Sequence, residues 1–353
     1  MSKVRALIVD DSKTMQLIVR QHLSSDPEIE VVGMADGPTI ARQMIKELNP
    51  DVITLDVEMP DMNGIDFLER IMRLRPMPVV MVSTLTAKGS ETAIEALSLG
   101  AIDCVVKPSV EMPDTFQTLA ARVKSAARAR VQQLIEDTSG RHNHDDEAHD
   151  PTSAGYAPDS KIVAIGASTG GVEALQAVLS RLPANCPPIV ITQHMPPTFT
   201  LTLARRLNKI CAPQIDEAQN GITLRPGHVL IAPGGDQHME VSGRGPFHVR
   251  LGGGPPVNGH CPSVDVLFHS VARVAGAHAV GVILTGMGQD GAAGLAAMRK
   301  AGAMTIGQNE ATCVVYGMPK VAFQMGAVHT VKPINRIADE IMGMTNANMK
   351  GAA

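Results

Sequence analysis

Short apolar runs alternate with helical patterns along the first part of the chain. Five runs rich in Val and Ile predict strands: Ala6–Val9, Ile29–Gly33, Val52–Leu55, Val79–Val82 and Cys104–Val106. Apolar residues between the runs recur at helical spacing, and they predict helices such as Thr39–Leu48, Glu91–Leu99 and Thr115–Ile135. This alternation predicts a parallel sheet of (βα)5 type, with helices on both faces, over residues 1–136.

The same kind of pattern returns later in the chain. Predicted strands are Ile162–Ile165, Ile189–Thr192, Val229–Ala232, His248–Leu251, Ala279–Leu284 and Met304–Ile306. Predicted helices include Val172–Leu182, Thr200–Leu207, Val264–Ala275 and Gly291–Lys300. We expect a second α/β domain over residues 161–348, doubly wound and mostly parallel, with an antiparallel excursion near Val241–Leu251. Residues 137–160 contain no Val, Ile, Leu, Met or Phe, so this segment is predicted to be a flexible linker.

Composition narrows the class of protein. Two Tyr, no Trp and a net charge of −4 argue against a nucleic-acid binder, because stacking platforms and basic patches are both missing. The amino-terminal residues MSKVRALIVDDS place two aspartates directly after an apolar run, unlike a signal peptide. No uninterrupted apolar segment approaches the length that spans a membrane. We therefore expect a cytoplasmic protein without direct membrane insertion, whose five cysteines are free thiols.

Acidic, hydroxyl and lysine side chains follow the predicted strands of the first part of the chain. Asp10 and Asp11 follow the first strand, Asp56 the third, Ser83 the fourth and Lys107 the fifth. Each acid could simply cap a helix or solvate a strand end. All of them together, at the edge where a parallel sheet binds its ligands, predict a site for a hard divalent cation, Mg²⁺, beside a phosphoryl group.

A small-residue turn opens the second domain. The sequence KIVAIGASTGG places Ser168 between a predicted strand and the helix that begins near Val172. Backbone N–H groups at a helix N-terminus can stabilise an oxyanion, which suits a nucleophilic serine. The alternative is a glycine-rich turn that only packs a helix onto a strand, because G-x-S-x-G occurs often by chance.

Two later strand ends offer a base and an acid. The run IVITQH ends in His194, and VGVILTGMGQDG ends in a turn that contains Asp290. With Ser168 these would form a nucleophile, a general base and an orienting carboxylate. Asp290 could instead cap the following helix, and other histidines remain open as the base: His228, His238, His260, His269 and His278.

The motifs IVDDS, TLDVEMPDMNGIDFL, MVST and VVKPS resemble the receiver domain of two-component response regulators, which has the flavodoxin-like fold. The resemblance implies that Asp56 accepts a phosphoryl group from a histidine kinase, with Ser83 as switch hydroxyl and Lys107 as phosphate-sensing lysine. Receivers usually carry Tyr or Phe where this chain has Cys104, so the chain departs from the usual aromatic switch. The implied Mg²⁺ ligands are Asp10, Asp11, Asp56 and the backbone of Glu58.

The motifs GASTGG, TQHMPPTFT, IAPGGDQHME, PSVDVLFHSVA, LTGMGQDGAAGL and QNEATCVVYGMP resemble the catalytic domain of the CheB family of chemotaxis protein-glutamate methylesterases. The resemblance implies a triad of Ser168, His194 and Asp290, with Thr169 and the backbone of Met287 binding the oxyanion. It implies hydrolysis of glutamate methyl esters on methyl-accepting chemotaxis receptors, deamidation of receptor glutamines, and no cofactor for the esterase. In the family the unphosphorylated receiver blocks the catalytic site, and the enzyme is recruited to receptor arrays at the membrane.

Two other classes are disfavoured by the residues. A non-enzymatic regulator with a nucleotide-binding output domain would need G-x-G-x-x-G after a strand, and GASTGG does not match it. The strand that follows ends in His194 where an acid for the ribose would be expected. A DNA-binding output domain would need a basic recognition helix, and the second half of the chain has none.

Overall fold

The structure is a computed structural model that describes residues 3–60, 62–109, 113–129, 131 and 156–348. The chain divides into two compact units, Met1–Arg141 and His142–Ala353. Residues 137–155, which make up most of the predicted linker, lie outside the described residues. The linker and the domain boundaries 1–136, 137–160 and 161–348 therefore stay predictions.

The first unit has a five-stranded parallel sheet in the order β2-β1-β3-β4-β5. Its strands are β1 (Val4–Val9), β2 (Ile29–Ala35), β3 (Val52–Asp56), β4 (Val79–Ser83) and β5 (Asp103–Val106). Its α-helices are α1 (Lys13–Ser24), α2 (Pro38–Leu48), α3 (Gly64–Leu74), α4 (Ala87–Ser98) and α5 (Leu119–Ala127). Strands β3 and β4 are buried at every residue because helices cover both faces of the sheet. The order is that of flavodoxin-like folds, and the predicted fold class is confirmed.

Within the described residues, the α-helix predicted over Thr115–Ile135 begins later and ends earlier than predicted. Residues Thr115–Thr118 form a 3-10 helix, and the α-helix begins only at Leu119. It ends at Ala127, because the next two N–H groups donate to carbonyls three residues back and tighten the turn. Residues 132–135 lie outside the described residues.

The second unit has a seven-stranded parallel sheet in the order β14-β13-β12-β6-β7-β9-β8, and a separate antiparallel pair, β10-β11. Its strands are β6 (Ile162–Ala167), β7 (Ile189–Gln193), β8 (Gln214–Glu217), β9 (His228–Ile231), β10 (Gln237–Ser242), β11 (His248–Gly253), β12 (Ala279–Ile283), β13 (Met304–Gln308) and β14 (Thr330–Lys332). Its α-helices are α6 (Gly171–Leu179), α7 (Phe199–Ile210), α8 (Val264–Val274), α9 (Ala292–Lys300), α10 (Met318–Gln324) and α11 (Ile334–Thr345).

The hairpin β10-β11 is the antiparallel excursion expected near Val241–Leu251, and the mostly parallel α/β class is confirmed. Strands β8 and β14 were not predicted, because each is short, partly polar and at a sheet edge. All five cysteines are free. None of the helices that the structure describes is long and apolar enough to cross a bilayer.

Candidate active site

Three adjacent strands, β12, β6 and β7, bring the candidate catalytic residues to one edge of the second sheet. Ala167 of β6 pairs with Gln193 of β7, and the next backbone N–H, that of His194, donates to the Ala167 carbonyl over 3.2 Å. Ser168 and His194 therefore leave neighbouring strands side by side. The sheet changes its winding direction at β6, and open α/β sheets bind ligands at such a point.

The turn that carries Ser168 is held by hydrogen bonds to its backbone. The Ser168 N–H donates to the Thr285 carbonyl over 3.0 Å, and Gln193 Nε2 donates to the Ser168 carbonyl over 2.9 Å. Gly170 completes the turn at φ 74°, a conformation that glycine adopts without strain. Ser168 is 9% exposed, so the residue is almost buried but still reaches solvent.

His194 contacts Asp290 through the Nε2 atom of its imidazole ring. The distance from His194 Nε2 to Asp290 Oδ2 is 2.8 Å, and an ionised carboxylate only accepts, so Nε2 carries the proton. His194 Nδ1 is then the basic nitrogen. It is buried, and no hydrogen-bond partner reaches it from any part of the chain that the structure describes. The arrangement leaves Nδ1 available for the proton of a nucleophile.

Asp290 is 1% exposed and accepts hydrogen bonds from five groups. Burial, the largest single influence, would raise its pKa, but the hydrogen bonds from His194, Asn258 and Ser263 and the charge of His194 together hold the pKa well below its ordinary value. The carboxylate therefore stays ionised and can stabilise a positively charged imidazole. The donors other than His194 are Asn258 Nδ2, Ser263 Oγ and the backbone N–H groups of Val264 and Asp265.

Sequence reasoning missed Asn258 and Ser263 as supports of Asp290. Asn258 Nδ2 lies 3.0 Å from Asp290 Oδ1, and Ser263 Oγ lies 2.7 Å from the same atom. Ser263 also caps α8, because its hydroxyl accepts the Val266 N–H. The sequence signals available were an Asn-Gly pair and a serine before an apolar helix, which indicate a turn and a cap but no link to Asp290.

The other histidines considered as the base lie elsewhere or serve other contacts. His228 is the first residue of β9, so it lies at the amino-terminal ends of the parallel strands and not at their carboxyl ends, and its Nε2 lies 3.0 Å from Asp216 Oδ2. His238 is buried and bonded to backbone groups of Pro255 and Ser263. His260 stacks on His194, with ring centroids 3.7 Å apart. His269 and His278 are exposed.

Thr169 and Met287, the two residues expected to bind an oxyanion, lie in turns whose backbone is fixed by hydrogen bonds. The Thr169 carbonyl accepts from Thr285 Oγ1 over 3.0 Å. The carbonyl before Met287, that of Gly286, accepts the N–H groups of Gly317 and Met318. Because N–H and C=O point in opposite directions across a trans peptide, the Met287 N–H points away from residues 317 and 318.

Position 286 requires glycine, because its Cα lies too close to Ser168 to carry a side chain. A Cβ built on Gly286 would lie 2.7 Å from Ser168 Cβ and would also meet Met318 Sδ. The Met318 side chain can move, but Ser168 Cβ is attached directly to the backbone of the turn. We expect Gly286→Ala to lower kcat for ester hydrolysis and to cost about 1–3 kcal/mol of unfolding free energy, the usual cost of overpacking. Steady-state kinetics and urea unfolding will measure both effects.

The matched control for Gly286→Ala is Gly252→Ala. Gly252 lies on β11, and an added Cβ would meet nothing within 4 Å. Equal kcat values for wild type and Gly286→Ala would show that the serine turn tolerates the added methyl group.

The predicted acidic cluster of the first unit is present. Oxygen atoms of Asp10, Asp11 and Asp56 lie within 4.8 Å of one another at the carboxyl ends of β1 and β3. Lys107 Nζ lies 2.7 Å from Asp56 Oδ2 and 3.2 Å from Asp10 Oδ2. Burial raises the pKa of Asp56 to about 6, although the hydrogen bond from Lys107 acts in the opposite direction.

The remaining residues predicted for the first unit are Glu58, Ser83 and Cys104. The Glu58 N–H donates to Asp56 Oδ1 over 3.2 Å. Ser83 is buried, and its hydroxyl donates to the Gly89 carbonyl in the first turn of α4 over 3.1 Å. Cys104 is buried in β5, and burial raises the pKa of its thiol.

Comparisons with known proteins find matches to both units of the chain. A family model described as CheB methylesterase matches residues 163–341, and one described as response regulator receiver domain matches residues 6–119. A Rhizobium johnstonii protein named protein-glutamate methylesterase/protein-glutamine glutaminase 1 is 56% identical over 347 residues, 98% of each chain. A Salmonella typhimurium protein named protein-glutamate methylesterase/protein-glutamine glutaminase is 51% identical over 359 residues, again 98% of each chain.

A solved structure extends the comparison to the fold. The CheB methylesterase catalytic domain of Thermotoga maritima is 37% identical, with a TM-score of 0.52 over 53% of this chain and 100% of that one. The matches do not favour the alternative of a nucleotide-binding output domain. This chain belongs to the CheB methylesterase family and carries a response regulator receiver domain before its catalytic domain.

Proposed function

We propose that this protein is a phosphorylation-activated serine hydrolase that converts glutamate methyl esters to glutamates, and glutamines to glutamates, on methyl-accepting chemoreceptors. Its relatives are named for both activities. The observation that carries the proposal is the 2.8 Å pair of His194 and Asp290, next to Ser168 on the neighbouring strand. In this role the protein would adjust receptor methylation during sensory adaptation.

The first half of the reaction transfers the glutamyl group to the enzyme. Ser168 Oγ attacks the ester carbonyl carbon while His194 Nδ1 accepts its proton. Asp290 holds the ring through Nε2 and stabilises its positive charge. The ester C–O bond then breaks, the proton passes from Nδ1 to the leaving oxygen, and methanol departs. With a glutamine substrate the same steps release ammonia.

The second half restores the serine. Water gives a proton to His194 Nδ1 and attacks the acyl carbon, and the bond to Ser168 Oγ breaks as Oγ takes the proton back. The negative oxygen formed in each half would be stabilised by donors at Thr169 and the Met287 backbone N–H. The fixed peptide between Gly286 and Met287 supports that role, because preorganised donors need no reorientation during the reaction.

The first unit would control the hydrolase through phosphorylation of Asp56. An Asp56 oxygen attacks the phosphorus of a histidine kinase phosphohistidine, and the imidazole leaves. Lys107, 2.7 Å from Asp56, would then bind a phosphoryl oxygen. The Ser83 hydroxyl would exchange its bond to Gly89 for one to another phosphoryl oxygen, which changes the start of α4.

The acidic cluster fits a divalent cation. Three carboxylates lie together, two of them in contact with Lys107, and the all-oxygen donor set suits Mg²⁺. Asp10, Asp11, Asp56 and the Glu58 carbonyl would hold it. A bound cation would neutralise charge on the incoming phosphoryl group.

Replacing Asp56 with asparagine tests receiver control. In wild type, a small phosphodonor with Mg²⁺ should raise methanol release from methylated receptor membranes on the order of 5- to 150-fold, the usual range of allosteric coupling. Asp56→Asn should keep the basal rate and lose the increase, because the amide cannot accept a phosphoryl group. Asp36→Asn, which changes an exposed aspartate after β2, serves as the control. Activation that persists in Asp56→Asn would place the phosphorylation site elsewhere.

The ionisation of Asp56 gives a second test of this site. Because burial raises its pKa, the carboxyl should titrate near pH 6 in the absence of divalent cations. It should be neutral well below that pH and ionised above it. Added Mg²⁺ should move the midpoint to lower pH, since a cation favours the charged form. ¹³C-carboxyl NMR, assigned with Asp56→Asn, will measure both midpoints, and a cation-free midpoint near 4 would contradict the buried geometry.

A further inference from the structure

A tight turn lies in the loop between β11 and α8. The backbone N–H of Val257 donates to the carbonyl of His260 and the reverse bond also forms, both over 3.0 Å. The two central residues, Asn258 and Gly259, have φ values of 53° and 80°. Positive φ at both positions is the geometry of a type I′ turn, which Asn-Gly favours. The Val257–His260 turn is therefore a tight two-residue hairpin turn.

Side chains attach the Val257–His260 turn to the catalytic site. Asn258 Nδ2 donates to Asp290 Oδ1 over 3.0 Å and to Asp265 Oδ2 over 2.7 Å. His238 holds the rest of the loop, because its Nε2 donates to the Pro255 carbonyl and its Nδ1 accepts the Ser263 N–H, both over 3.1 Å. The turn is thus fixed to Asp290 at its tip and to a buried histidine at the ends of its loop.

The fixed turn places His260 on the face of His194. The two imidazole rings are nearly parallel, with an interplanar angle of 8° and centroids 3.7 Å apart. His260 is half-buried, so one side of its ring faces His194 and the residue also reaches solvent. One turn therefore contacts both Asp290, through Asn258, and His194, through His260.

We propose that His260 is a positioning residue that holds the His194 ring in the plane in which Nε2 contacts Asp290 and Nδ1 is left to accept the proton of Ser168. The inference rests on the proposed function, since it assumes that Nδ1 accepts the serine proton.

The need for such a residue follows from the geometry of the imidazole. His194 is fixed at Cγ by its own side chain and at Nε2 by the bond to Asp290. The ring can still rotate about the Cβ–Cγ bond within the range that one hydrogen bond tolerates. Nδ1 lies off the axis of that bond, so rotation would move it away from Ser168. A parallel ring at 3.7 Å opposes that rotation, and it covers one face of the imidazole against water.

The test measures serine reactivity with and without the receptor substrate. A small phosphonofluoridate modifies a catalytic serine: the Oγ–P bond forms, fluoride leaves, and the histidine takes the proton. Its inactivation rate reports the Ser168–His194 pair without any receptor contact. The variants are His260→Ala, His260→Leu, which keeps volume without a flat ring, and His260→Phe, which keeps a flat ring. His278→Ala, which changes an exposed histidine in the same unit, is the control.

We expect His260→Ala and His260→Leu to lower both the inactivation rate and kcat by about 10- to 100-fold, the usual cost of misplacing a catalytic group, with KM nearly unchanged. His260→Phe should restore most of both rates, because an aromatic face suffices. The thermal unfolding midpoint of His260→Phe should match wild type, so that this variant remains informative if the others fold poorly.

Two results would overturn the inference. An inactivation rate unchanged in His260→Ala and His260→Leu would show that His260 does not act on His194. A His260→Phe variant as slow as His260→Leu would show that a flat ring is not what His194 needs. Failure of the proposed function is distinguishable, because Ser168→Ala would then be modified as fast as wild type.

Discussion

Ser168→Ala will lower methanol release from methylated receptor membranes on the order of 10⁵- to 10⁶-fold. Removal of the nucleophile from a serine hydrolase has an effect of this size, because the remaining groups cannot form an acyl-enzyme. The protein should fold as before. Backbone groups hold the turn at position 168, through the Thr285 carbonyl and Gln193 Nε2, and alanine keeps them.

Single-turnover measurement of methanol release, with phosphodonor and Mg²⁺ present, gives the widest range for detecting the loss. Ser180→Ala is the matched control, because Ser180 is an exposed serine just after α6 in the same unit. It should leave the rate unchanged. A Ser168→Ala variant that keeps even a tenth of the wild-type rate would rule out Ser168 as the nucleophile.

Asp290→Asn should lower kcat by about 10⁴-fold, as removal of the orienting carboxylate does in other triads. Asp290 accepts five hydrogen bonds, distributed over both of its oxygens. The side-chain amide of asparagine must place its NH₂ group at the position of either Oδ1 or Oδ2 of Asp290. In the position of Oδ2, the NH₂ group would face the Val264 N–H and force His194 Nε2 to act as an acceptor. Nδ1 would then carry the proton and could not act as a base.

The opposite orientation of the amide is also unfavourable. With NH₂ in the position of Oδ1, it would face donors at Asn258 and at the Asp265 backbone. Asp290→Asn should therefore lose stability as well as activity, whereas Ser168→Ala should lose activity alone. Gln324→Ala, at an exposed residue that ends α10, is the control. Equal kcat values in wild type and Asp290→Asn would contradict the orienting role, and ¹⁵N NMR of His194 will show which ring nitrogen carries the proton.

Residues at the ends of strands were the most predictable from the sequence. Ser168, His194, Asp56 and Lys107 each follow a buried apolar run, and the carboxyl ends of parallel strands meet at one edge. The sequence therefore indicated which residues would gather there, and the structure brings Ser168 beside His194 and Lys107 to Asp56. Their catalytic and phosphoryl-transfer roles stay predictions until the variants are measured.

Residues that depend on a long loop were not predictable in the same way. Asn258 and His260 lie between β11 and α8, and no periodic pattern relates that loop to the strand ends. Their contacts with Asp290 and His194 exist only after the loop has packed. The choice of Nε2 rather than Nδ1 for Asp290 is likewise invisible in a sequence, because it depends on the angle at which two loops meet.

The order of the seven strands also affects which parts of the candidate active site open locally when the protein fluctuates. Strands β12, β6 and β7, which lead to the three catalytic candidates, occupy the middle of the sheet, whereas β14 and β8 form its edges. Amide hydrogens in central strands exchange with solvent mainly through global unfolding, while edges open locally at small free-energy cost. We therefore expect fraying of the edges to leave in place the central strand ends that carry Ser168 and His194.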